Sequence, residues 1–267
     1  PTAAFYTLGC KVNQYETDQM AARFAAEGFR IVPSDEPADV YVINTCSVTQ
    51  VAESKSRKSV RRLARMNPQA LVVVTGCDVE MASIMGRSYP EADVVVPNGQ
   101  KLDAVDYLLD AHPAIRRELE SHRSAASSES PTSGANASSV GRTRAVVKVQ
   151  DGCDMFCSFC SVPLTRGPIR SRSLPDILHD VREAVAHGHK EVVLTGVLVG
   201  AYGRDLGHGA PELADVVTAV AGVDGIERVR LSSIEPTQVS RRLLLAIAET
   251  PKACPHLHIP LQSGDDQ

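Results

Sequence analysis

The stretch Val40-Tyr-Val-Ile-Asn-Thr-Cys46 sets the pattern for the first half of the chain. A run of apolar, β-branched and aromatic residues ends on a cysteine, and a helical pattern over 48–66 follows until Pro68 stops it. An apolar run of that length reads as a strand buried on both faces. Two more segments end the same way, Tyr6-Thr-Leu-Gly-Cys10 and Val73-Val-Thr-Gly-Cys77. Strands are expected over 3–8, 40–44, 71–75 and 92–96, with helices over 14–27, 48–66 and 79–88. Strands alternating with helices predict a doubly wound parallel sheet. If the three cysteine-ended strands are adjacent and parallel, Cys10, Cys46 and Cys77 reach one edge of that sheet. One buried cysteine usually behaves as a small apolar residue, whereas three in matched positions are candidate ligands of a metal or cluster.

Bulk properties narrow the class. The chain has 267 residues, 43% of them hydrophobic and 22% charged, and a net charge of −4. That suits a globular chain with a real core and provides no overall attraction for a polyanion or an acidic membrane. No apolar run approaches the roughly 18 residues of a membrane span, and no charged start leads into an apolar stretch, so the expected compartment is the cytoplasm. Seven cysteines, an odd number, in a chain without the small loop-rich character of disulfide scaffolds point to metal or redox chemistry.

Residues 121–142 are rich in serine, alanine and small polar side chains and carry no periodicity. They read as a flexible linker between a first domain, 1–120, and a second, 143–267. The second domain repeats the strand–helix grammar. Strands are expected over 145–150, 191–195, 228–232 and 256–260, and helices over 175–187, 211–221 and 237–249. The sequence stops just after the fourth of these strands, so a fragment of a longer (βα) domain is expected.

Directly after the first strand of that domain comes Asp151-Gly-Cys-Asp-Met-Phe-Cys-Ser-Phe-Cys160. Cys153, Cys157 and Cys160 thus stand in Cys-x3-Cys-x2-Cys spacing. Three thiolates on one loop can hold three corners of a [4Fe–4S] cubane and leave the fourth iron open. A structural zinc site prefers four closed ligands, commonly with histidine, and the loop has none. Ligands of α/β folds gather at the C-terminal ends of parallel strands. Thr195 and Gly196, Ser232 to Glu235, and Gln262-Ser-Gly264 occupy such ends, with ordinary turn chemistry as their plainer reading.

The Cys-x3-Cys-x2-Cys spacing, with Phe159 before the last cysteine, resembles the radical S-adenosylmethionine superfamily. Leu8-Gly-Cys-Lys-Val-Asn-Gln-Tyr-Glu-Thr17, Asn44-Thr-Cys-Ser-Val-Thr49, Thr75-Gly-Cys77 and Ile259-Pro-Leu-Gln-Ser-Gly264 further resemble its methylthiotransferases. The Gly-Cys-Lys-Val-Asn-Gln wording is most similar to the branch that modifies N6-threonylcarbamoyladenosine beside the tRNA anticodon. Other branches act on isopentenyladenosine in tRNA or on an aspartate of a ribosomal protein. The resemblance implies two [4Fe–4S] clusters, one on Cys10, Cys46 and Cys77 and one on Cys153, Cys157 and Cys160. It implies S-adenosylmethionine bound near Phe159, Thr195, Gly196, Ser232, Glu235 and Gln262. It further implies transfer of a methylthio group to C2 of adenine by way of a 5′-deoxyadenosyl radical, an electron donor such as flavodoxin or ferredoxin, and a monomeric protein without a membrane.

The family's full catalytic domain is a six-unit partial barrel followed by a small RNA-binding β-barrel. This chain is therefore expected not to turn over tRNA alone. Lys55, Arg57, Lys58, Arg61, Arg62 and Arg65 follow Cys46 on one helix, and either a solvated face or phosphate contact accounts for them. Arg166, Arg170 and Arg172 follow the cluster loop and are expected to meet substrate or S-adenosylmethionine. Cys254 matches no motif, and His256 and His258 are expected on one face of a strand. Outside the enzyme class stand an iron–sulfur carrier, which would bind each cluster with four protein ligands, and a zinc-dependent RNA-binding module.

Overall fold

The computed structural model describes residues 1–125 and 143–265. Its contacts divide the chain into two units, Pro1–Val140 with Cys157–Arg166, and Gly141–Phe156 with Gly167–Gln267. In chain order the first half runs β1 (Thr2–Thr7), α1 (Lys11–Ala26), β2 (Arg30–Val32), β3 (Val40–Thr45), α2 (Gln50–Met66), β4 (Leu71–Gly76), α3 (Cys77–Ile84), β5 (Val94–Val95), α4 (Ala104–Ala111) and α5 (Pro113–Ala125), with a 3-10 turn over Asn98–Asp103. The strands form one sheet in the order β2-β1-β3-β4-β5, and every pairing is parallel.

Side chains alternate between the two faces of this sheet. Ala3, Val40, Val42, Val73 and Val94 face Met20 and Phe24 of α1, Leu108 of α4 and Leu119 of α5. Ala4, Tyr41, Ile43, Val72 and Val74 face Val60 and Leu63 of α2 and Ala82 of α3. Helices therefore cover both faces, and the fold is doubly wound. The order 2-1-3-4-5 is the flavodoxin-like one, whose switch point lies between β1 and β3. The pattern over 113–125 also buries Leu119, so α5 takes up the first five residues expected as linker. The rest of that stretch, 126–142, lies outside the described residues.

The second half continues with β6 (Arg144–Lys148), β7 (Gln150–Asp151), α6 (Val162–Arg166), β8 (Arg170–Ser171), α7 (Leu174–Ala186), β9 (Glu191–Thr195), α8 (Leu213–Ala221), β10 (Arg228–Leu231) and α9 (Arg241–Glu249). Strands β6, β9 and β10 form a parallel sheet with β9 in the middle, and β7 and β8 pair antiparallel. Val147, Val192, Leu194, Val229 and Leu231 pack against Ile177 of α7, Val216 and Val220 of α8 and Leu243 of α9. The alternate residues Lys148, Glu191, Thr195 and Arg230 occupy the opposite face. Helices on one face and polar residues on the other are the pattern of a barrel wall.

Two expectations fail locally. Residues 256–260 form no strand; only isolated bridges join Val229 to Ala253 and Ser233 to His258. Pro255 and Pro260 flank this stretch and lack the N–H that a ladder needs. The last helix begins at Arg241 rather than 237, because Pro236–Gln238 form a 3-10 turn and Ser240 accepts the N–H of Leu243 as N-cap. Among the described residues no helix is long and apolar enough to cross a membrane.

At the foot of β9, Glu191 accepts from Arg230 at 3.0 Å and Arg228 at 3.1 Å, with Arg144 3.8 Å away. Burial opposes its charge, but these arginines win and hold the carboxyl below the usual range. Arg228 and Arg144 remain half-exposed, which limits the gain. Glu191→Gln is expected to cost about 1 kcal/mol in a urea titration at neutral pH. The depressed value makes this stability present above the unfolded pKa of about 4.3 and lost as pH falls through the lower folded value. The gap between wild type and variant should therefore close in acid.

Candidate functional site

In the first unit the three strand-end cysteines converge. Thr45 pairs with Gly76, so Cys46 and Cys77 are the next residues on adjacent strands. Leu8 N–H donates to Asn44 O at 2.9 Å, continuing the β1–β3 ladder toward Gly9 and Cys46. Cys10 is the N-cap of α1 and Cys77 the first residue of α3, so both stand at helix N-termini. Cys46 is buried between them; burial pushes its thiol pKa up, and the Cys77 and Cys10 thiols add to the rise.

The backbone leaves room for this arrangement. Gly9 has φ +100°, and a Cβ there would lie 2.7 Å from the Cys46 sulfur. Gly76 has φ +106°, and a Cβ there would meet Thr45 O at 2.4 Å. Only glycine fits both the dihedral and the space. Polar side chains hold the edge in place. Asn13 Nδ2 donates to Leu8 O and Thr45 O at 2.8 and 2.9 Å, and Thr45 Oγ1 donates to Thr75 O at 2.6 Å. The Ser56 hydroxyl accepts from Cys46 N and lies 2.9 Å from Cys46 O. Among the described residues no group of three His, Cys, Asp or Glu side chains is gathered tightly enough for a single metal ion. A cubane binds each thiolate through a different iron and asks for wider spacing.

The segment 157–166 packs with the first unit. Cys157 is exposed, Cys160 is half-buried, and Cys160 N–H donates to Cys157 O at 2.9 Å in a tight turn. Helix α6 is then pinned. Asn98 donates to Thr165 O at 2.5 Å, and Arg166, itself buried, reaches Asn13 Oδ1 at 2.5 Å and Glu16 Oε1 at 3.0 Å. Lys101 Nζ donates to the same carboxylate at 2.7 Å. Glu16, Lys101 and Arg166 are all nearly inaccessible to water.

In the second unit Cys153 follows Gly152, whose φ of +73° and contact with Pro168 exclude any Cβ. Cys153 N–H donates to Gly167 O at 3.0 Å, and its sulfur accepts from Met155 N at 3.5 Å. Phe156 takes the left-handed region at φ 46°. Gln150, fully buried, ties this loop to the next. Its Nε2 donates to Asp151 O and Gly152 O, and its Oε1 accepts from Leu198 N at 2.8 Å.

The remaining sequence-selected residues divide. Thr195 and Ser232 are buried at neighbouring strand ends, Ser232 N–H donating to Leu194 O. Gly196 lies against Gln150, where a Cβ would come within 2.9 Å of its Oε1. Gln262 and Glu235 are brought together, Nε2 to Oε2 at 2.6 Å. Phe159 is 83% exposed. Arg166 and Arg172 do not face solvent as free cations. Arg166 serves the buried carboxylate, and Arg172 binds Asp180 at 2.7 Å and Lys148 O at 2.8 Å. His258 binds Ser233 at 2.8 Å rather than forming a site with His256. Gln150, Asn13, Glu16 and Lys101 were not selected from the sequence. A polar residue interrupting an apolar strand (Gln150) and polar residues on the buried side of α1 (Asn13, Glu16) were the available signals. A cavity of about 570 Å³ opens past β9 and β10, lined by Tyr202, Arg204, His208 and Gln238 among others.

Comparisons with known proteins match this architecture. Residues 2–97 match a family described as uncharacterized protein family UPF0004, and residues 147–267 match the radical SAM superfamily. The second match covers most of the second unit and the segment 157–166 of the first. Threonylcarbamoyladenosine tRNA methylthiotransferase MtaB of Bacillus subtilis is 36% identical over 267 residues, 99% of this chain and 58% of that protein. MtaB of Aquifex aeolicus is 36% identical over 264 residues, 99% of this chain and 63% of that protein. A tRNA-2-methylthio-N(6)-dimethylallyladenosine synthase of Burkholderia multivorans is 36% identical over 280 residues, 98% of this chain and 58% of that protein. Nearly the whole chain is thus similar to radical S-adenosylmethionine methylthiotransferases. It spans 58 to 63% of the length of these relatives. The radical S-adenosylmethionine methyltransferase TsrM from Kitasatospora setae shares the fold, with TM-score 0.59 and 12% identity over all of this chain and 60% of that one.

The buried carboxylate yields a prediction. Glu16→Gln leaves the Lys101 and Arg166 charges buried without their shared counter-charge. It is expected to cost about 3–5 kcal/mol of stability by denaturant titration, well beyond the Glu191→Gln loss.

Proposed function

We propose that this chain forms the cluster-bearing part of an enzyme that adds a methylthio group to C2 of N6-threonylcarbamoyladenosine in tRNA. The observation that carries this reading is the convergence of Cys10, Cys46 and Cys77 on one sheet edge, in a chain that also holds Cys153-x3-Cys-x2-Cys160. Three thiols in each set leave one iron of a bound cluster open. When bound, such clusters supply the electron that cleaves S-adenosylmethionine reductively and the site from which the methylthio group is delivered.

The protein's own part is placement. Cys153, Cys157 and Cys160 hold one cluster, on a loop whose start is fixed by Gln150 and Gly152. Cys10, Cys46 and Cys77 hold the other, with Cys10 and Cys77 at helix N-termini. Thr195, Gly196 and Ser232, at strand ends, and Phe159 on the cluster loop are assigned to S-adenosylmethionine. Glu235, oriented by Gln262, is assigned to its amino group or ribose hydroxyls. The first domain, 1–120, carries the second cluster and the domain 143–267 the radical chemistry. A flavodoxin- or ferredoxin-like donor supplies electrons, and the protein acts as a monomer.

Relatives named for threonylcarbamoyladenosine and for dimethylallyladenosine are equally identical to this chain. The Gly9-Cys-Lys-Val-Asn-Gln14 wording is what favours the former. Anaerobic reconstitution is expected to give about eight irons per chain, and alanine at either cysteine trio about four. S-adenosylmethionine should perturb the spectrum only while Cys153, Cys157 and Cys160 are intact. Zinc in place of iron, or clusters indifferent to S-adenosylmethionine, would refute the reading. For the substrate, the protein at its relatives' full length should yield methylthiolated threonylcarbamoyladenosine by nucleoside mass spectrometry and leave isopentenyladenosine unchanged.

A further inference from the structure

Helix α2 carries six cations, Lys55, Arg57, Lys58, Arg61, Arg62 and Arg65, against one acid, Glu53, in a chain whose net charge is −4. The structure sorts these cations. Arg57 binds Glu53 at 3.3 Å, and Arg61 binds Glu91 at 3.0 Å. Lys55, Lys58, Arg62 and Arg65 are exposed and, among the described residues, make no ion pair. Their spacing of three, four and three residues places them on one stripe, opposite the buried Ser56, Ser59, Val60 and Leu63. Like charges at these spacings repel, and no described carboxylate pairs with any of the four. The stripe runs about 15 Å along the helix. Arg62 is preoriented with its guanidinium 5.3 Å over the Tyr6 ring. Lys58, Arg61, Arg62, Arg65 and Met66 line a shallow cleft of about 430 Å³.

We infer that this stripe of α2 docks the phosphodiester backbone of RNA. The inference rests on the tRNA reading above and deepens it by naming a surface. A row of cations on a polar helix face matches a row of phosphates. A membrane-binding helix would need a continuous apolar face turned outward; on α2 Val60 and Leu63 are buried in the core, and the exposed Val51 and Met66 stand apart at its two ends.

The test measures binding of a hairpin RNA of anticodon-arm size to the 267-residue chain by fluorescence anisotropy over a potassium chloride series. Wild type is compared with Lys55→Gln/Lys58→Gln/Arg62→Gln/Arg65→Gln, which touches no core side chain. A charge-matched control, Arg117→Gln/Arg182→Gln/Lys190→Gln/Arg241→Gln, removes four exposed cations elsewhere. The stripe variant should bind at least about tenfold more weakly at low salt and lose about three units of the slope of log affinity on log salt. The control should keep both. Equal losses in the two variants, an unchanged stripe variant, no binding by wild type, or better competition by polyglutamate or anionic vesicles than by RNA would each overturn the inference. Those results leave the iron and S-adenosylmethionine measurements untouched, so failure of the surface and failure of the enzymatic reading are separable.

Discussion

Burial of the Glu16 carboxylate between two cations is the constraint on which the first unit depends. Lys101 reaches it from the 3-10 turn after β5, and Arg166 reaches it from the end of α6. A buried charge with a missing partner costs far more than a surface pair returns. Helix α1, the turn and the end of the cysteine-bearing segment are therefore fixed relative to one another. Asn13, one turn earlier on α1, links this charge centre to the cysteine edge. It accepts from Arg166 and donates to Leu8 O and Thr45 O.

Two kinds of control act on the thiols. Glycines at positions 9 and 76 remove side-chain bulk where backbone and sulfur approach most closely. The Ser56 hydroxyl holds the backbone on both sides of Cys46, so the thiol's position is set before any ligand is present. The second unit repeats the strategy with different residues. Gly152 admits the Pro168 carbonyl, and Gln150 joins the cluster loop to the loop after β9.

The strands that precede the cysteines are legible because each is a largely apolar run of the right length, and alternation with helices makes them parallel; their order in the sheet comes from the fold. Short elements are not. Strand β2 has only three residues, and α4 and α5 follow a 3-10 turn that breaks the helical period. The false strand over 256–260 had apolar content but proline at or beside both ends, and backbone donors decided against it. Among side chains, the cysteines were visible by spacing. The Glu16, Lys101 and Arg166 cluster was not, because its members are separated by up to 150 residues and each alone looks like a surface charge. Two of the three arginines after the cluster loop depart from their expected role, while Arg170 stays half-exposed. Arg166 and Arg172 are structural cations, and only the fold reveals their partners.

The three cysteines of the first unit follow the ends of the neighbouring strands β1, β3 and β4, whose separation is fixed at about 4.8 Å by the backbone ladder. The ruler that spaces the thiols is thus made of amides and carbonyls, which every residue but proline supplies. Apart from Gly76, where any side chain would strike Thr45, substitutions along β1, β3 and β4 can change stability without changing that spacing. Insertion or deletion of a single residue in any of them would turn its cysteine to the other face of the sheet. The site is therefore tolerant of spelling changes and intolerant of changes in length, so the count of residues in each strand, more than their identity, is the inherited quantity.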